Sequence, residues 1–173
     1  MELPVIWFRP RAELMRRVHR LDGEALIDAA RAEGKGIVFL TPHQGCFEMT
    51  AQVAAERLPI TVLYRLPRQG FLQPLIHQGR AQKNVHLAPA NFAGVRELIA
   101  ALKRGEALGI LPDQVPSAGE GEWAEFFGRP AYTMTLAMRL AARPNTVTLL
   151  AFGERLPCGA GYVVHVKPLP ERR

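Results

Sequence analysis

Two hydrophobic rhythms alternate along the chain. Short runs at Gly36 to Thr41, Ile60 to Tyr64, Val85 to Leu87 and Ala107 to Leu111 are rich in Val, Ile, Leu and Phe and end at polar or proline breaks. They predict strands covered on both faces. Between them the apolar positions recur at helical spacing. Phe47 to Arg57 is rich in helix formers and closed by Pro59, Phe71 to Gln82 follows the same habit, and Phe92 to Arg104 puts Val95, Leu98, Ile99 and Leu102 on one face.

Ahead of the first run, Leu14, Val18 and Leu21 and then Leu26, Ala29 and Ala30 read as two successive helices, with Asp22 placed to cap the second and Gly34 to end it. Beyond Leu111, residues 112–130 form a long Gly, Pro and Glu stretch that predicts a functional loop. Tyr132 to Arg143 reads as a helix, Thr146 to Phe152 as a strand, and Gly161 to Val166 as its antiparallel partner. Strands alternating with helices predict an α/β fold: a layered, largely parallel sheet flanked by helices, with an antiparallel C-terminal strand pair. The expected organisation is one domain over 1–173, a helical N-terminal segment at 1–34 followed by an α/β core at 35–169. In such folds the working groups lie just past the carboxyl ends of the strands.

Composition changes this picture little. The chain has 173 residues, 48% hydrophobic and 22% charged, which excludes disordered and collagen-like classes. Its two cysteines, Cys46 and Cys158, make neither a disulfide framework nor a structural zinc spacing, so a reducing compartment is expected. No apolar run approaches the length of a membrane span, and the N-terminus does not read as a signal peptide. The net charge of +6 biases partners toward phosphate, anionic lipid or an acidic protein.

Chemistry concentrates after the first strand, in Thr41-Pro42-His43-Gln44-Gly45-Cys46-Phe47-Glu48. Five residues along a continuous helix turn about 500°, so His43 and Glu48 meet only if the histidine sits in the loop and the carboxylate in the first helical turn. In that geometry Glu48 accepts the Nδ1 proton of His43, leaving Nε2 as a base for a hydroxyl. Ser117 lies in no nucleophile elbow, and no Walker or Gly-x-Gly-x-x-Gly turn is present. A thiol nucleophile at Cys46, three residues from His43, is the alternative.

The same residues resemble the His-x4-Asp/Glu signature of the lysophospholipid acyltransferase superfamily, and more narrowly the lipid A biosynthesis (late) acyltransferases. Leu63-Tyr64-Arg65 is similar to that family's Tyr-Arg segment, and Arg80 stands where it has an arginine closing the next helix. Ile110 to Gln114 matches its Pro-Asp-Gln block, and Phe126 to Thr133 its Phe-Phe-Gly-x-x-Ala-x-Thr block. The resemblance covers Gly36 to about Leu169, and the chain reads as shortened at both ends relative to the family.

The resemblance implies transfer of a fatty acyl group from acyl carrier protein to a hydroxyl of a phosphorylated glycolipid, at the cytosolic face of the inner membrane. His43 would be the base and Glu48 its orienter, with no metal or cofactor needed. Gln44, Gly45, Cys46, Tyr64, Arg65, Arg80, Asp113 and Gln114 would bind the acceptor, the arginines through phosphate, while Asp113 and Gln114 bond sugar hydroxyls or steady the His43 loop. Phe126 and Phe127 are expected in the core, ahead of an acyl-chain wall. Peripheral attachment to an anionic membrane would rest on Trp7, Phe8, Arg9, Arg11, Arg16 and Arg17. No nucleic acid is expected. Two other readings stand beside this one: a catalytically silent module binding lipid or acyl carrier protein, and an acyltransferase for a lysophospholipid or another glycolipid.

Overall fold

A computed structural model of the chain describes residues 3–64, 69–80 and 83–170. Its centre is β2 (Gly36–Leu40), in which every residue is buried. Side chains alternate across this strand, so Ile37 and Phe39 enter one apolar cluster while Val38 and Leu40 enter another. Both faces must therefore be roofed. The helices α3 (Glu24–Ala32) and α4 (Phe47–Ala54) cover the first face, and α6 (Phe92–Lys103) and α7 (Leu136–Ala141) cover the second.

The remaining strands of the sheet are β1 (Val18–Asp22), β3 (Ile60–Tyr64), β4 (Val85–Pro89), β5 (Ala107–Ile110), β8 (Thr146–Arg155) and β9 (Tyr162–Pro168). Among the described residues they form a seven-stranded sheet in the order β1-β9-β8-β2-β5-β3-β4. All neighbours run parallel except β8 and β9, the expected antiparallel pair. A short 3-10 turn (Gly70–Leu72) leads into α5 (Gln73–Arg80), and the N-terminus contributes α1 (Leu3–Phe8) and α2 (Arg11–Met15). Ile6 and Leu14 from these two helices pack with Cys46, Met49 and Val53 in a third cluster.

The structure corrects the sequence expectations in two stretches of the chain. The segment 1–34 is not helical throughout, because Val18–Asp22 pairs in parallel with β9. Satisfying the open edge of β9 overrides a helical spacing carried by only three apolar residues. Asp22 lies in that strand, and Gly23 takes the cap position of α3. The stretch 112–130 is not wholly loop: β6 (Gly121–Phe126) and β7 (Arg129–Met134) form a separate antiparallel hairpin, and α7 begins at Leu136, not at Tyr132. Trp, Phe, Tyr and Thr favour that hairpin, but its turn is Phe127-Gly128 in place of the usual Asn-Gly or Asp-Gly signal.

Candidate functional site

The register between β2 and β5 builds the site. Leu40 pairs with Ile110, and the Thr41 N–H donates to the Ile110 carbonyl at 2.8 Å. His43 and Asp113 each stand three residues past that pair, so parallel strands deliver them side by side although seventy residues separate them in sequence. The Asp113 carboxylate grips the histidine twice. One oxygen accepts the His43 backbone N–H at 2.7 Å and the other faces Nδ1 at 2.9 Å. An ionised carboxylate only accepts, so Nδ1 carries a proton, and in the neutral ring Nε2 keeps its lone pair. The Gln114 side-chain amide donates toward that lone pair at 3.3 Å.

Burial alone would raise the Asp113 carboxyl, but the hydrogen bonds from the His43 backbone and ring outweigh it and hold it below its ordinary value. Asp113 is therefore an anion where it faces the ring.

The loop carrying His43 is pinned from behind. Gly45 bridges to Gly153 of β8, and the Cys46 N–H donates to the Gly153 carbonyl at 2.7 Å. Gly45 has φ +65°, and a Cβ there would lie 2.1 Å from the Gly153 carbonyl oxygen. Only glycine permits this approach. Cys46 is buried among Ile6, Leu14 and Met49, which accounts for its thiol as packing and sets aside a nucleophile at this position. Gln44 is exposed.

The expected pairing of Glu48 with His43 is not what the structure contains. Phe47 presents its ring edge to the imidazole, with centroids 4.9 Å apart. The next residue on a helix is turned by about 100°. Glu48 accordingly faces α1 and α5, buried at 6% exposure. There Arg80 donates from Nε at 2.8 Å and also from Nη2, and Trp7 Nε1 lies 3.5 Å away. The Arg80 guanidinium also sits over the Trp7 ring, 5.6 Å from its centroid. Gly79 makes room for this stack, since a Cβ there would meet Trp7 at 2.5 Å. The contact with His43 Nδ1 that the sequence assigns to Glu48 is thus made by Asp113, and Glu48 pairs with Arg80.

His43, Phe47, Glu48, Arg80 and Gln114 share the wall of one cavity of about 220 Å³. Its lining also takes in Ala51, Val62, Leu87 and Gly109 along the first face of the sheet, with the buried Thr50 and Gln52 beside them, so one cavity joins charged and polar groups to an apolar stretch. Tyr64 lies at the end of β3, buried, with its hydroxyl meeting no hydrogen-bond partner among the described residues. Arg65 lies outside the described residues.

Of the N-terminal basic cluster, Arg9 pairs with Glu13 and Arg11 with Glu56 and Gln52, so two of those charges serve the fold. Phe126 and Phe127, expected in the core, are 65% and 92% exposed at the hairpin turn. Trp7 and Gly79 join the site, and their place was not evident from the residue pattern. For Gly153 a signal existed: a glycine inside a strand marks close backbone approach.

Known proteins add the family. The sequence profile described as bacterial lipid A biosynthesis acyltransferase matches residues 1–171. A lipid A biosynthesis acyltransferase of Haemophilus influenzae is 25% identical over 129 residues, covering 73% of this chain and 40% of the relative. A lipid A biosynthesis palmitoleoyltransferase of Escherichia coli K12 is 24% identical over 127 residues, with the same shares. The chain thus spans about 40% of the length of the curated relatives it matches. On the profile match over nearly its whole length, the chain belongs to the bacterial lipid A biosynthesis acyltransferase family.

Proposed function

We propose that the chain moves a fatty acyl group from an acyl-carrier-protein thioester to a hydroxyl of a phosphorylated glycolipid, a lipid A precursor, at the cytosolic face of the inner membrane. One observation carries the reading: His43 meets Asp113 through Nδ1 and lines, with Gln114, a cavity that also has an apolar stretch. The acceptor hydroxyl displaces the Gln114 amide and takes its place on Nε2. As the hydroxyl oxygen attacks the thioester carbonyl, its proton passes to Nε2, and the Asp113 anion stabilises the imidazolium. The tetrahedral intermediate collapses with loss of the thiolate, which takes the proton back. Neither an acyl-enzyme nor an activated protein nucleophile is needed, because a thioester is already activated.

Arg80 is assigned to the acceptor. Glu48 occupies its Nε and Nη2, so the guanidinium is oriented with its remaining Nη1 for an acceptor phosphate. The acyl chain is assigned to the apolar stretch lined by Ala51, Val62, Leu87 and Gly109, where each buried methylene is worth about 0.8 kcal/mol.

The test is transfer from acyl carrier protein to a lipid A precursor, with products identified by mass spectrometry. His43→Ala should lose about 10²- to 10⁴-fold in rate and keep its circular-dichroism spectrum. Undiminished transfer by that variant removes the mechanism. Binding of acyl carrier protein with no turnover on any acceptor makes the chain a silent module, and transfer only to lysophospholipids changes the acceptor.

A further inference from the structure

The most exposed large hydrophobic residues among the described ones are Phe127, Phe92, Phe71, Val115, Trp123 and Phe126, each at least 65% exposed. They share a place in the topology. Phe71 follows β3, Phe92 follows β4, and Val115 with the three hairpin aromatics follows β5, so all six lie in segments leaving the carboxyl ends of neighbouring parallel strands. That is the end at which His43 and Asp113 stand.

The hairpin tip shows that this exposure is built in. Phe127 and Gly128 both take positive φ, +50° and +74°, in the two-residue turn between the paired residues Phe126 and Arg129. Such turns ordinarily place Asn, Asp or Gly first, and a bulky side chain there is strained. The chain nevertheless puts a phenylalanine there, stacked edge-on against Phe126 with centroids 4.6 Å apart. The base of the hairpin is held firmly, because the Tyr132 hydroxyl accepts the Gly119 and Gly121 N–H groups at 2.9 and 3.1 Å.

We propose that the carboxyl end of the sheet docks on a lipid bilayer and that Phe126 and Phe127 at the tip of the β6–β7 hairpin enter its hydrocarbon. The acyltransferase reading gives this docking its purpose and names no part of its geometry. A bilayer fits the arrangement better than a protein partner does. The aromatics belong to separate segments, the 3-10 turn, the start of α6 and the hairpin, which fluid acyl chains can surround one by one, whereas a folded partner would need matching pockets at each. The hairpin also carries Glu120, Glu122 and Glu125 against Arg129, which disfavour an acidic protein partner and keep the shank in water; they disfavour anionic headgroups too, so entry rests on the apolar tip. Trp123 and Tyr132, paired across the strands with centroids 5.4 Å apart, suit the headgroup level below the tip.

The experiment is co-sedimentation of the full chain with vesicles of phosphatidylethanolamine and phosphatidylglycerol at low and high salt, read without any turnover. Phe126→Ser combined with Phe127→Asn should weaken partitioning about tenfold or more at both salt concentrations, because the lost contribution is apolar, and should not lower the melting temperature. In a second measurement, Phe126→Trp should be quenched by lipids brominated in the acyl chain. Unchanged partitioning of the folded double variant, or no quenching, overturns the proposal. So does concentration-dependent self-association abolished by the same pair of substitutions, which would make the partner a second copy. A failed transfer assay with hairpin-dependent vesicle binding would overturn the acyltransferase reading and leave the docking intact.

Discussion

The two ends of the sheet are built from opposite materials. At the amino end the turns are short, polar and locally paired. Asn145, at φ +56°, donates its side-chain amide to the Gly34 carbonyl at 3.0 Å, Asn84, at φ +66°, donates to the Ala55 carbonyl at 3.1 Å, and Arg104 pairs with Glu106. At the carboxyl end the segments are longer, hold His43 and Asp113 half in solvent, and expose phenylalanines, one of them in a left-handed backbone that an asparagine would occupy with less strain. One end of the same layer is settled for stability. The other keeps strained and exposed groups, as expected where a fold carries function.

The contrast is broken most forcefully at the imidazole. Asp113→Asn replaces the anion that the proposed mechanism sets against the imidazolium with a neutral amide, and should lower kcat by about 10²-fold or more. Glu48→Gln leaves the His43–Asp113 pair untouched and loosens Arg80, so it should raise the acceptor KM about tenfold, on the scale of one charge-assisted hydrogen bond, with a smaller change in kcat. Equal collapse of kcat in both variants would return the orienting role to Glu48.

Stability has its own pH signature. Because the folded Asp113 pKa is depressed, its contribution is present above the ordinary carboxylate value of about 3.9 and is lost as pH falls through the folded value. The stability gap between the wild type and Asp113→Asn, under about 1 kcal/mol because both side chains are partly exposed, should close in acid when followed by urea denaturation.

Two glycines sharpen the comparison. Gly45 and Gly34 have nearly the same φ, +65° and +64°, but a Cβ at Gly45 meets the Gly153 carbonyl oxygen at 2.1 Å and one at Gly34 meets nothing within 4 Å. Gly45→Ala should therefore cost about 3 kcal/mol, backbone strain plus a broken bridge, and also displace His43. Gly34→Ala should cost only the left-handed penalty of about 1 kcal/mol. Urea denaturation measures both; equal costs would mean that the His43 loop moves freely away from β8.

The parallel core was legible in the sequence because β2 and β5 are buried on both faces and apolar throughout, and β3 departs from that only at Thr61 and at the partly buried Val62 and Leu63. Strand β1 and the hairpin were not, since each is stabilised by a partner or a turn that local pattern does not specify. The site divides the same way. His43 stood out by its loop, but the choice between Glu48 and Asp113 as its partner depends on the pairing of Leu40 with Ile110 and on the side of α4 that Phe47 occupies. Adjacency in sequence favoured Glu48, and strand register favoured Asp113.

The smallest effect tests the contrast most directly, by exchanging the two solutions to a left-handed residue. Phe127→Asn puts the favoured residue into a turn whose side chain is 92% exposed, so it removes strain and no core contact. It should stabilise by up to about 1 kcal/mol, which for a chain of this size is a rise of roughly 2 to 4 °C in Tm. Asn145→Ala at the amino end keeps the left-handed backbone but loses the bond to Gly34, and should lower Tm by a similar amount. Scanning calorimetry of the pair reads both signs. A fall in Tm for Phe127→Asn would mean that the phenylalanine is held by contacts on the folded domain, and the exposed tip would lose its claim to be a feature kept at the expense of stability.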